Sequence, residues 1–432
     1  MIPRYTTPEV AAIWSDEARW AAALRVELAV LAAQAKRGEV PAEAAEAIAA
    51  RARIDVARIA ELERTLDHDV LAFVQQVAES VGEEGRWLHH GLTSSDVVDT
   101  ALALQSRAAA DLLVAAFDGL IAAIVRRARE ERDTLMIGRT HGMHAEPTTL
   151  GAKLAGWAFE AARSRDRIAD AAEALATGKI SGPVGTYSQL APEVEAAALE
   201  ALGLAVDPAS TQIVQRDRHA AFIAAIAIAG GSLERFATEI RHLQRTEVDE
   251  VREPFRAGQA GSSAMPQKRN PIKCERIAGL ARLLRGYAVA AGENQALWHE
   301  RDISHSSVER IVLPDATGLL HFMLRSMTAV VDGAEVRRDR MARNLEAGLG
   351  LHASSRLLLA LVGAGCSRDG AYALVQAAAT RARDGELHLR DVARADGKIS
   401  SLLGEPGIAA AFDDRAAVAR AGLLVDRLSL LG

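Results

Sequence analysis

Apolar residues recur along this chain at the spacing of an α-helix. Two stripes show the pattern, one formed by Leu113, Phe117, Leu120 and Ile124 and the other by Leu233, Phe236, Ile240 and Leu243. Positions spaced by three, four and seven residues lie on one face of a helix, so each stripe predicts an amphipathic helix. Ser232 precedes the second stripe and is a residue type that caps helices. That helix therefore either begins at Ser232 or continues through Gly230-Gly231 from further upstream.

Proline, the strongest helix breaker, marks where these helices can end. Four stretches contain none: 42–146, 209–253, 272–313 and 315–405. From Asp96 to about Arg132 only Gly119 interrupts the pattern, which predicts a helix of more than 30 residues. Helices of this length bury their faces by packing against one another, within a chain or between chains.

The predicted fold is all-α, in three helical regions. Residues 1–92 form shorter helices with loops, residues 93–340 hold a central bundle of long helices, and residues 341–432 form a smaller helical cap. The sequence contains no internal repeat and no strand–glycine loop–helix unit. A Rossmann-type or P-loop nucleotide site therefore has no support.

Composition agrees with helices and argues against several classes of partner. Of the 432 residues 49% are hydrophobic but only 4% aromatic, which favours alanine- and leucine-rich helices over strands. The formal charge of −6, from 51 basic and 57 acidic residues, includes no basic stripe. Neither nucleic acid nor a membrane surface is therefore expected as a partner.

Three further features of the sequence bear on the cellular compartment of the protein. The longest apolar runs, 220–231 and 357–366, are shorter than the ~18 residues that a membrane span needs. Cys274 and Cys366 are too few for a disulfide framework and have no zinc-type spacing. The N-terminus lacks the apolar stretch of a signal peptide. We therefore expect a soluble, cytoplasmic protein.

Four polar segments interrupt the helical pattern, each at a predicted helix border. They are 65–69 with 89–96, then 138–149, 210–219 and 258–271. All are rich in Gly, Ser, Thr or His, which a plain helical bundle does not need. The chemistry of the protein is expected in these segments.

Segment 258–271 carries the sharpest signal. Ser262 and Ser263 follow a glycine-rich start, and Lys268 and Asn270 lie between two prolines. Because proline is tolerated in the first turn of a helix, Asn270-Pro271 predicts a helix start whose free N–H groups attract an anion such as a carboxylate. A serine beside such charges loses its proton more easily than in water. The alternative is a mobile surface loop that happens to be rich in Gly and Ser.

His141 and His144 form a His-x-x-His pair with three alternatives. Zinc needs a third ligand, and Glu146 is available, but Gly142 and Pro147 make the segment a turn rather than a helix face. A metal site is therefore not favoured. A general acid or base role suits one of the pair, because histidine titrates near neutral pH. The other alternative is a pair of hydrogen-bonded structural histidines, an interpretation that suits His144 more than His141.

The other histidines are ambiguous when each is taken alone. His68 could serve in catalysis, yet a single histidine is more often structural. Four lie in helical patterns and are interpreted as satisfied or exposed, namely His219, His242, His299 and His305. No Gly-x-Ser-x-Gly elbow surrounds Ser262, so serine-hydrolase chemistry lacks its usual context. What remains is proton abstraction next to a carboxylate, with a second group protonating the leaving atom.

The run from Gly261 to Pro271, GSSAMPQKRNP, closely resembles the signature of the fumarase/aspartase superfamily, whose members reversibly eliminate fumarate from substituted succinates. Five further segments resemble the adenylosuccinate lyase family within it: Arg4-Tyr5, TLDHDV at 65–70, HHGLTSSDVVD at 89–99, GRTHGMHAEPTT at 138–149 and TQIVQRDRH at 211–219. The resemblance extends to about Ser307 and is looser in the C-terminal cap.

Catalytic roles are implied by this resemblance. Ser262 would be the general base that removes the Cβ proton of the succinyl group, and His141 the general acid that protonates the departing purine N6. His68 would assist His141. Lys268 would stabilise the carboxylate on which charge develops. Glu275 would orient His141. The resemblance implies no metal and no cofactor.

A substrate-binding set is implied in the same way. Thr93, Ser94 and Gln212 would bind a carboxylate or the base, while Asn270 would hold the succinyl carboxylate with Lys268. The N-terminal residues and those near Arg301 would bind phosphate and ribose. The whole set is Arg4, Tyr5, Asp67, Asp69, Thr93, Ser94, Gln212, Ser263, Arg269, Asn270, Arg301, Ser306, Ser307 and Arg310.

Members of the family are homotetramers whose long helices complete a central bundle and whose active sites draw on three chains. The resemblance thus implies a nucleotide substrate and a homotetramer with shared active sites. Two alternatives stay open. One is another lyase of the superfamily or a carboxymuconate cycloisomerase, and the other is a catalytically silent helical protein like the lens crystallins of this superfamily.

Overall fold

The computed structural model describes residues 2–256, 258–259 and 261–431. Ala260, in the fourth polar segment, lies outside the described residues. The described chain contains 18 α-helices and six short strands, which confirms the predicted all-α class. The first six helices are α1 (Pro8–Ile13), α2 (Asp16–Lys36), α3 (Ala42–Arg51), α4 (Val56–Leu66), α5 (Asp69–Val81) and α6 (Ser94–Glu130).

The remaining helices include four more of at least 22 residues. The next six are α7 (Leu150–Leu175), α8 (Pro192–Leu202), α9 (Asp217–Leu243), α10 (Ile272–Glu293), α11 (Ser304–Gly333) and α12 (Arg338–Glu346). The last six are α13 (Ser354–Gly363), α14 (Arg368–Asp384), α15 (Leu389–Ala395), α16 (Gly397–Ala411), α17 (Asp414–Ala417) and α18 (Gly422–Asp426).

Both apolar stripes lie on helices and are buried. Helix α6 has 37 residues, so the expected helix of more than 30 residues is confirmed. Helix α9 runs without a break through Gly230 and Gly231, so the second stripe does not start at a Ser232 cap. A Cβ on Gly230 would lie 2.6 Å from a methyl carbon of Leu284. Glycine at this position therefore lets α9 and α10 approach closely, which explains why it is tolerated inside a helix.

Pro314 does not end a helix, contrary to the expectation from proline placement. Helix α11 continues through it from Ser304 to Gly333. Proline leaves one backbone carbonyl on the preceding turn without its usual amide donor. Three residues later, the Thr317 hydroxyl donates to the Leu313 carbonyl at 2.7 Å and accepts from the Trp14 indole N–H at 2.9 Å. These contacts tie the turn that follows the proline to the end of α1 and to its own helix.

Six short strands were not predicted from the sequence. Strands β1 (Leu135–Thr140) and β2 (Met143–Thr149) form an antiparallel hairpin. The others have two residues each: β3 (Thr177–Gly178) pairs in parallel with β4 (Ala205–Val206), and β5 (Val251–Arg252) pairs antiparallel with β6 (Glu335–Val336). Such short pairs carry too few residues for a recognisable alternation of apolar and polar positions.

The chain divides into two compact units. The first comprises Met1–Asp118, Arg163–Glu234 and Ile277–Arg325, and the second comprises Gly119–Ala162, Arg235–Arg276 and Ser326–Gly432. The three regions predicted from the sequence, 1–92, 93–340 and 341–432, follow the chain, whereas these units are discontinuous. The three-region division stays a prediction.

Each unit has its own apolar core. In the first, the rings of Trp20 and Phe73 stack 5.0 Å apart, surrounded by small and aliphatic side chains from α2, α3, α5 and α8. In the second, Trp157 stacks on Phe236 at 4.7 Å, and a separate cluster around Leu357 joins α13 to α16. A fully buried aromatic or leucine side chain contributes roughly 1.5–3 kcal/mol to folding. These four aromatic side chains thus contribute to the cores of their own units.

Helices α6 and α9 are long and apolar enough, by length and composition alone, to cross a membrane. The prediction that no segment is long enough to span a membrane considered only uninterrupted apolar runs. These two helices reach the required hydropathy although polar residues are interspersed along them. On α6 the carboxylates of Asp96 and Asp99 are buried and form ion pairs with Lys179 and Arg216 within the first unit.

Candidate active site

His141 lies at the tip of the β1–β2 hairpin, in the second unit. Thr140 pairs with Met143, so the loop consists of His141 and Gly142 alone. Both have positive φ, 56° and 77°, the combination that a type I′ turn requires. The predicted turn is therefore confirmed. The His141 side chain is exposed and forms no hydrogen bond with another residue that the structure describes.

The hairpin is anchored two residues before His141. Arg139 donates two hydrogen bonds to the Glu250 carboxylate, at 2.7 Å and 2.9 Å. Glu250 is fully buried, and it also accepts from the Asn344 amide at 2.8 Å. Partial burial and the positive charge of Arg139 hold the pKa of His144 below its usual value. Nothing in the sequence pattern indicated Glu250, because it lies 111 residues from its partner.

The loop that carries Ser262, called the serine loop below, spans Gly261 to Pro271 and is held by hydrogen bonds within the loop. The Ser262 hydroxyl oxygen accepts hydrogen bonds from the backbone amides of Ala264 and Met265, each at 3.3 Å. At the other end, the Asn270 amide donates to the Gly261 carbonyl at 3.3 Å. A Cβ on Gly261 would collide with the Lys268 carbonyl, so only glycine fits there. Two amide dipoles thus point at the Ser262 oxygen, an arrangement that stabilises negative charge on it.

The helix start predicted at Asn270-Pro271 is confirmed, since α10 begins at Ile272. The sequence predicted that the free N–H groups of this helix start would bind a substrate carboxylate, but a side chain of the protein itself binds them. The Glu253 side chain accepts from the amides of Lys273 at 3.1 Å and Cys274 at 2.6 Å. Burial and this neighbouring carboxylate raise the pKa of the Cys274 thiol. The protein therefore supplies its own anion at this helix N-terminus.

A cavity of about 910 Å³ opens beside the serine loop in the second unit. It is lined by five basic side chains and two carboxylates among other residues. Four predicted residues line it, namely Lys268, Arg269, Asn270 and Glu275. Arg241, Arg245 and Arg252 also contribute and were not recognised in the sequence. The excess of positive charge suits a ligand that carries carboxylates.

The second unit does not link its three predicted acid–base groups directly. No hydrogen bond joins the side chains of His141, Ser262 and Glu275 among the residues that the structure describes. Glu275 lies exposed on the first turn of α10. Its predicted contact with His141 is therefore absent within one copy of the described chain.

His68 caps a helix in the first unit. Asp67 ends α4 in the left-handed conformation, with φ of 48°, and His68 then precedes α5. The His68 Nδ1 atom accepts from the Leu71 amide at 3.3 Å. Because a backbone amide can only donate, Nδ1 is unprotonated in this geometry. The Nε2 atom of a neutral His68 then carries the proton and can donate it.

Asp69, predicted to contact substrate, is held by two arginines. Its carboxylate accepts from Arg19 at 2.5 Å and from Arg310 at 2.6 Å. These guanidinium groups outweigh the effect of burial and lower the pKa of Asp69 to about 2. Asp69 therefore orients Arg310, itself a predicted substrate residue, rather than facing an anionic ligand. Arg19 was not recognised in the sequence.

Thr93 and Ser94 lie at the N-terminus of α6. The Thr93 amide donates to Asp96 at 2.9 Å, and Asp96 also forms a fully buried ion pair with Lys179 at 2.5 Å. This capping arrangement fixes the residues just before the helix. Lys179 gave no signal in the sequence, because a single lysine in a loop is ordinarily exposed.

Arg301 and Gln212 are brought together in the first unit. Arg301 Nη1 donates to Gln212 Oε1 at 3.1 Å, and Arg301 Nε donates to His305 Nε2 at 3.2 Å. His305 is buried and pairs with Glu309 at 3.0 Å, and Glu309 binds Arg216. Burial alone would raise the pKa of Glu309, but His305 and Arg216 outweigh it and lower that pKa to about 2.

His219 lies beside this cluster and departs from the sequence interpretation of a satisfied or exposed histidine. It is buried, and its Nδ1 atom has no hydrogen-bond partner among the residues that the structure describes. Burial and the charge of Arg216 lower the pKa of His219 to about 4.

Ser306 and Arg310 line a second cavity, of about 210 Å³, in the first unit. Trp14 and Trp20 form part of its wall. Of the remaining predicted residues, Tyr5 packs edge-on against Phe322 at 5.4 Å, Ser307 donates to the Ser304 carbonyl at 3.4 Å, and Arg4 is exposed.

The chain is similar to known proteins along its whole length. A family model described as "Lyase" matches residues 4–286, and one described as "Adenylosuccinate lyase C-terminus" matches residues 350–428. The chain is 50% identical over 431 residues to "Adenylosuccinate lyase" of Synechocystis sp., with 100% of both chains covered. It is 47% identical over 430 residues to "Adenylosuccinate lyase" of Bacillus subtilis, again with 100% of both covered.

Solved structures share the fold. A fumarate lyase from Mesorhizobium sp. BNC1 superposes with a TM-score of 0.91 at 28% identity, covering 99% of both chains. A 3-carboxy-cis,cis-muconate lactonizing enzyme from Pseudomonas putida gives a TM-score of 0.89 at 31% identity, covering 98% of this chain and 96% of the other.

Proposed function

The chain belongs to the adenylosuccinate lyase family of the fumarase/aspartase superfamily and is a lyase, and from this premise we propose that it eliminates fumarate from adenylosuccinate to give AMP. The same reaction on succinyl-aminoimidazole-carboxamide ribotide would place it in purine nucleotide biosynthesis. The observation that carries the proposal is 50% identity over the full length of a relative with that name. In the elimination, a Cβ–H bond and the C–N6 bond of the succinyl group break while a carbon–carbon double bond forms.

Ser262 is the proposed general base. It takes the Cβ proton, and the electron pair of that C–H bond moves toward the adjacent carboxylate before N6 departs. The two backbone amides that donate to Oγ support this role, because they stabilise the alkoxide relative to the alcohol. The sequence signature around the serine supports the same assignment.

His141 is the proposed general acid, donating a proton to purine N6 as the C–N6 bond breaks. Its exposure at a two-residue turn supports this role, since the imidazole is accessible to a ligand. His68, whose Nε2 is free to donate, assists it. Glu275 is proposed to orient His141 in the assembled site.

Lys268 and Asn270 are proposed to hold the succinyl carboxylate that gains charge in the transition state. The surplus of basic side chains in the 910 Å³ cavity that they line supports this. Ser263 and Arg269 complete this group. In the first unit, Thr93, Ser94 and Gln212 bind the second carboxylate or the base, and Asp67 shapes the turn that presents His68.

The nucleotide phosphate and ribose are proposed to bind Arg4, Tyr5, Arg301, Ser306, Ser307 and Arg310. The ion pair of Asp69 with Arg310 and the hydrogen bond of Gln212 with Arg301 support this, because both hold cationic groups in fixed positions. No metal or cofactor takes part in the proposed reaction.

We further propose a cytoplasmic homotetramer whose active sites combine residues from several copies of the chain. Helices α9, α10 and α11 support the assembly, because within the first unit they expose Ile228, Leu283, Val289 and Ile311. A partner copy would cover this apolar surface. The three regions 1–92, 93–340 and 341–432 are retained as a proposal for how the chain is organised.

A second candidate is a carboxymuconate cycloisomerase, since a lactonizing enzyme shares the fold. The identity to that enzyme is 31%, against 50% to the adenylosuccinate lyase of Synechocystis sp.. A silent helical protein is disfavoured by the presence of Ser262, His141 and Lys268 together, since a protein without activity has no need of them.

The direct experiment is an absorbance assay of the purified protein with adenylosuccinate, in buffer with a chelator and without cofactor. Formation of AMP and fumarate is expected. Parallel assays with argininosuccinate, malate and carboxymuconate provide the comparison. Turnover of one of these without turnover of adenylosuccinate would overturn the proposal.

A further inference from the structure

His305 is a buried histidine that lies between the guanidinium of Arg301 and the carboxylate of Glu309. Its Nε2 atom lies 3.2 Å from Arg301 Nε, and its Nδ1 atom lies 3.0 Å from a Glu309 carboxylate oxygen. His305 and Glu309 are four residues apart at the start of α11, so they lie on one side of that helix, and Arg301 lies in the segment just before it. None of the roles assigned above includes His305 or Glu309.

The contact with Arg301 indicates the tautomer of this imidazole. A guanidinium can only donate, so Nε2 must be the acceptor and carries no proton. The proton of the neutral ring is therefore on Nδ1, which donates to Glu309 at 3.0 Å, while Arg216 Nη2 is a more distant neighbour of Nδ1, at 3.4 Å. In this tautomer His305 offers Arg301 a lone pair in a fixed direction.

Beneath His305 the cluster is rigid. Arg216, only 1% exposed, donates to Glu309 at 2.7 Å and 3.1 Å and to Asp99 at 2.7 Å and 2.8 Å. Two guanidiniums, those of Arg216 and Arg301, face two carboxylates, and a neutral His305 leaves the charges balanced. The multiple hydrogen bonds of Arg216 in this buried network hold its members in one arrangement.

Arg301 is held through two of its three nitrogens. Its Nε donates to His305 and its Nη1 to Gln212, while Nη2 makes no hydrogen bond with any residue that the structure describes. A guanidinium has five N–H groups in a planar fork. Three of the five remain for an anion such as a phosphate, and their direction is set by His305.

We propose that His305 is a positioning residue, which holds the Arg301 guanidinium through its Nε2 lone pair so that the Nη2 group faces the substrate. The inference rests on the proposed function, because it is measured through turnover of adenylosuccinate. His305 acts through Arg301 and does not itself touch the substrate.

A matched pair of amide variants tests this role. A glutamine side chain reaches about as far as Nε2, so His305→Gln keeps an acceptor for Arg301, whereas His305→Asn reaches only about as far as Nδ1 and leaves Arg301 without one. We expect His305→Asn to raise KM about tenfold, the effect of losing one hydrogen bond to a charged group. The kcat should stay within about twofold, and His305→Gln should retain most of the wild-type KM.

A double-mutant cycle with Arg301→Met separates positioning from general support of the fold. If His305 acts through Arg301, His305→Asn should change KM less than about twofold once Arg301 is gone. A full tenfold effect in the Arg301→Met background, or equal KM values for the Gln and Asn variants, would overturn the proposal. Thermal unfolding of all variants shows whether folding differs between the amide pair. If His305→Asn does not fold, His305→Gln alone tests the proposal. A KM near that of the wild type in His305→Gln supports the positioning role, and a KM raised about tenfold contradicts it.

Failure of the proposed function gives a different result. A wild-type protein that does not turn over adenylosuccinate overturns the function and the positioning role together. Wild-type turnover with no coupling between His305 and Arg301 overturns the positioning role alone.

Discussion

The carboxylate of Glu250 accepts hydrogen bonds from both terminal nitrogens of Arg139, and so fixes strand β1 two residues before His141. Glu250 is fully buried while Arg139 is partly exposed. The tip of the hairpin therefore depends on an interaction inside its own unit.

Glu250→Ala should destabilise the protein and slow turnover. Removing one partner of a buried ion pair costs roughly 3–5 kcal/mol, and the partial exposure of Arg139 reduces the expected loss to about 2 kcal/mol. Urea unfolding measures it. The control is Asp339→Ala, which breaks an exposed pair with Arg343 and should change stability by less than about 0.5 kcal/mol. Equal losses in both variants would contradict the anchoring role of Glu250.

Gly142→Ala should destabilise the hairpin turn by about 1 kcal/mol, because φ of 77° is strained for any residue with a Cβ. Gly119→Ala is the matched control, since a Cβ at either position meets no atom within 4 Å. Gly119 lies inside α6, where alanine should stabilise by about 0.5–1 kcal/mol. Denaturation midpoints that move in opposite directions confirm the prediction, and midpoints that move together contradict it.

His219 should make the native state sensitive to acid. Its pKa is lowered to about 4 from the ordinary 6.5, so the folded protein keeps the ring neutral while the unfolded chain protonates it. The stability due to the neutral ring is present above pH 6.5 and is lost as pH falls toward 4, by about 3 kcal/mol.

His219→Leu removes this titration and leaves Arg216, Asp99, Glu309 and His305 in place. Between pH 7 and pH 4 the difference in unfolding free energy between wild type and variant should shift by about 3 kcal/mol in favour of the variant. Urea unfolding at the two pH values measures the shift. A difference that stays constant with pH would show that His219 does not titrate as described.

Ser262→Ala should bind adenylosuccinate while losing most turnover, because the proposed base is removed and the binding groups remain. A general base contributes roughly 10²–10⁴-fold to the rate, so kcat should fall at least about 100-fold. Calorimetric binding and steady-state kinetics measure the two effects. Ser401→Ala, at an exposed serine far along the chain, is the control. Near-normal kcat in Ser262→Ala would exclude the general-base role.

Helices were predictable from the sequence because their signal is local and repeated. The stripe through Phe117 recurs over several turns, and α6 accordingly extends from Ser94 to Glu130. Pro314 shows the limit of such rules, since distant Trp14 binds the Thr317 hydroxyl of the same helix segment. The hairpin strands were missed because only the turn, His141-Gly142, has a strong residue preference.

Site residues in continuous motifs were recognised, and their partners were not. Ser262, Lys268 and Asn270 stand within one run of the sequence, whereas Arg19 meets Asp69 from 50 positions away. Ion-pair partners such as these are brought together only by the folded structure, so no rule based on sequence spacing predicts them. One pattern was available, the four-residue spacing of His305 and Glu309, which places both on one helix face.

The close approach of Gly261 to the Lys268 carbonyl has a genetic consequence. Every single-nucleotide missense change in a glycine codon introduces a side chain with a Cβ, and any Cβ at this position collides with that carbonyl. Position 261 therefore tolerates no missense variant without reshaping the loop that carries Ser262. In a mutational scan of the gene, it should be among the positions with no accepted substitution.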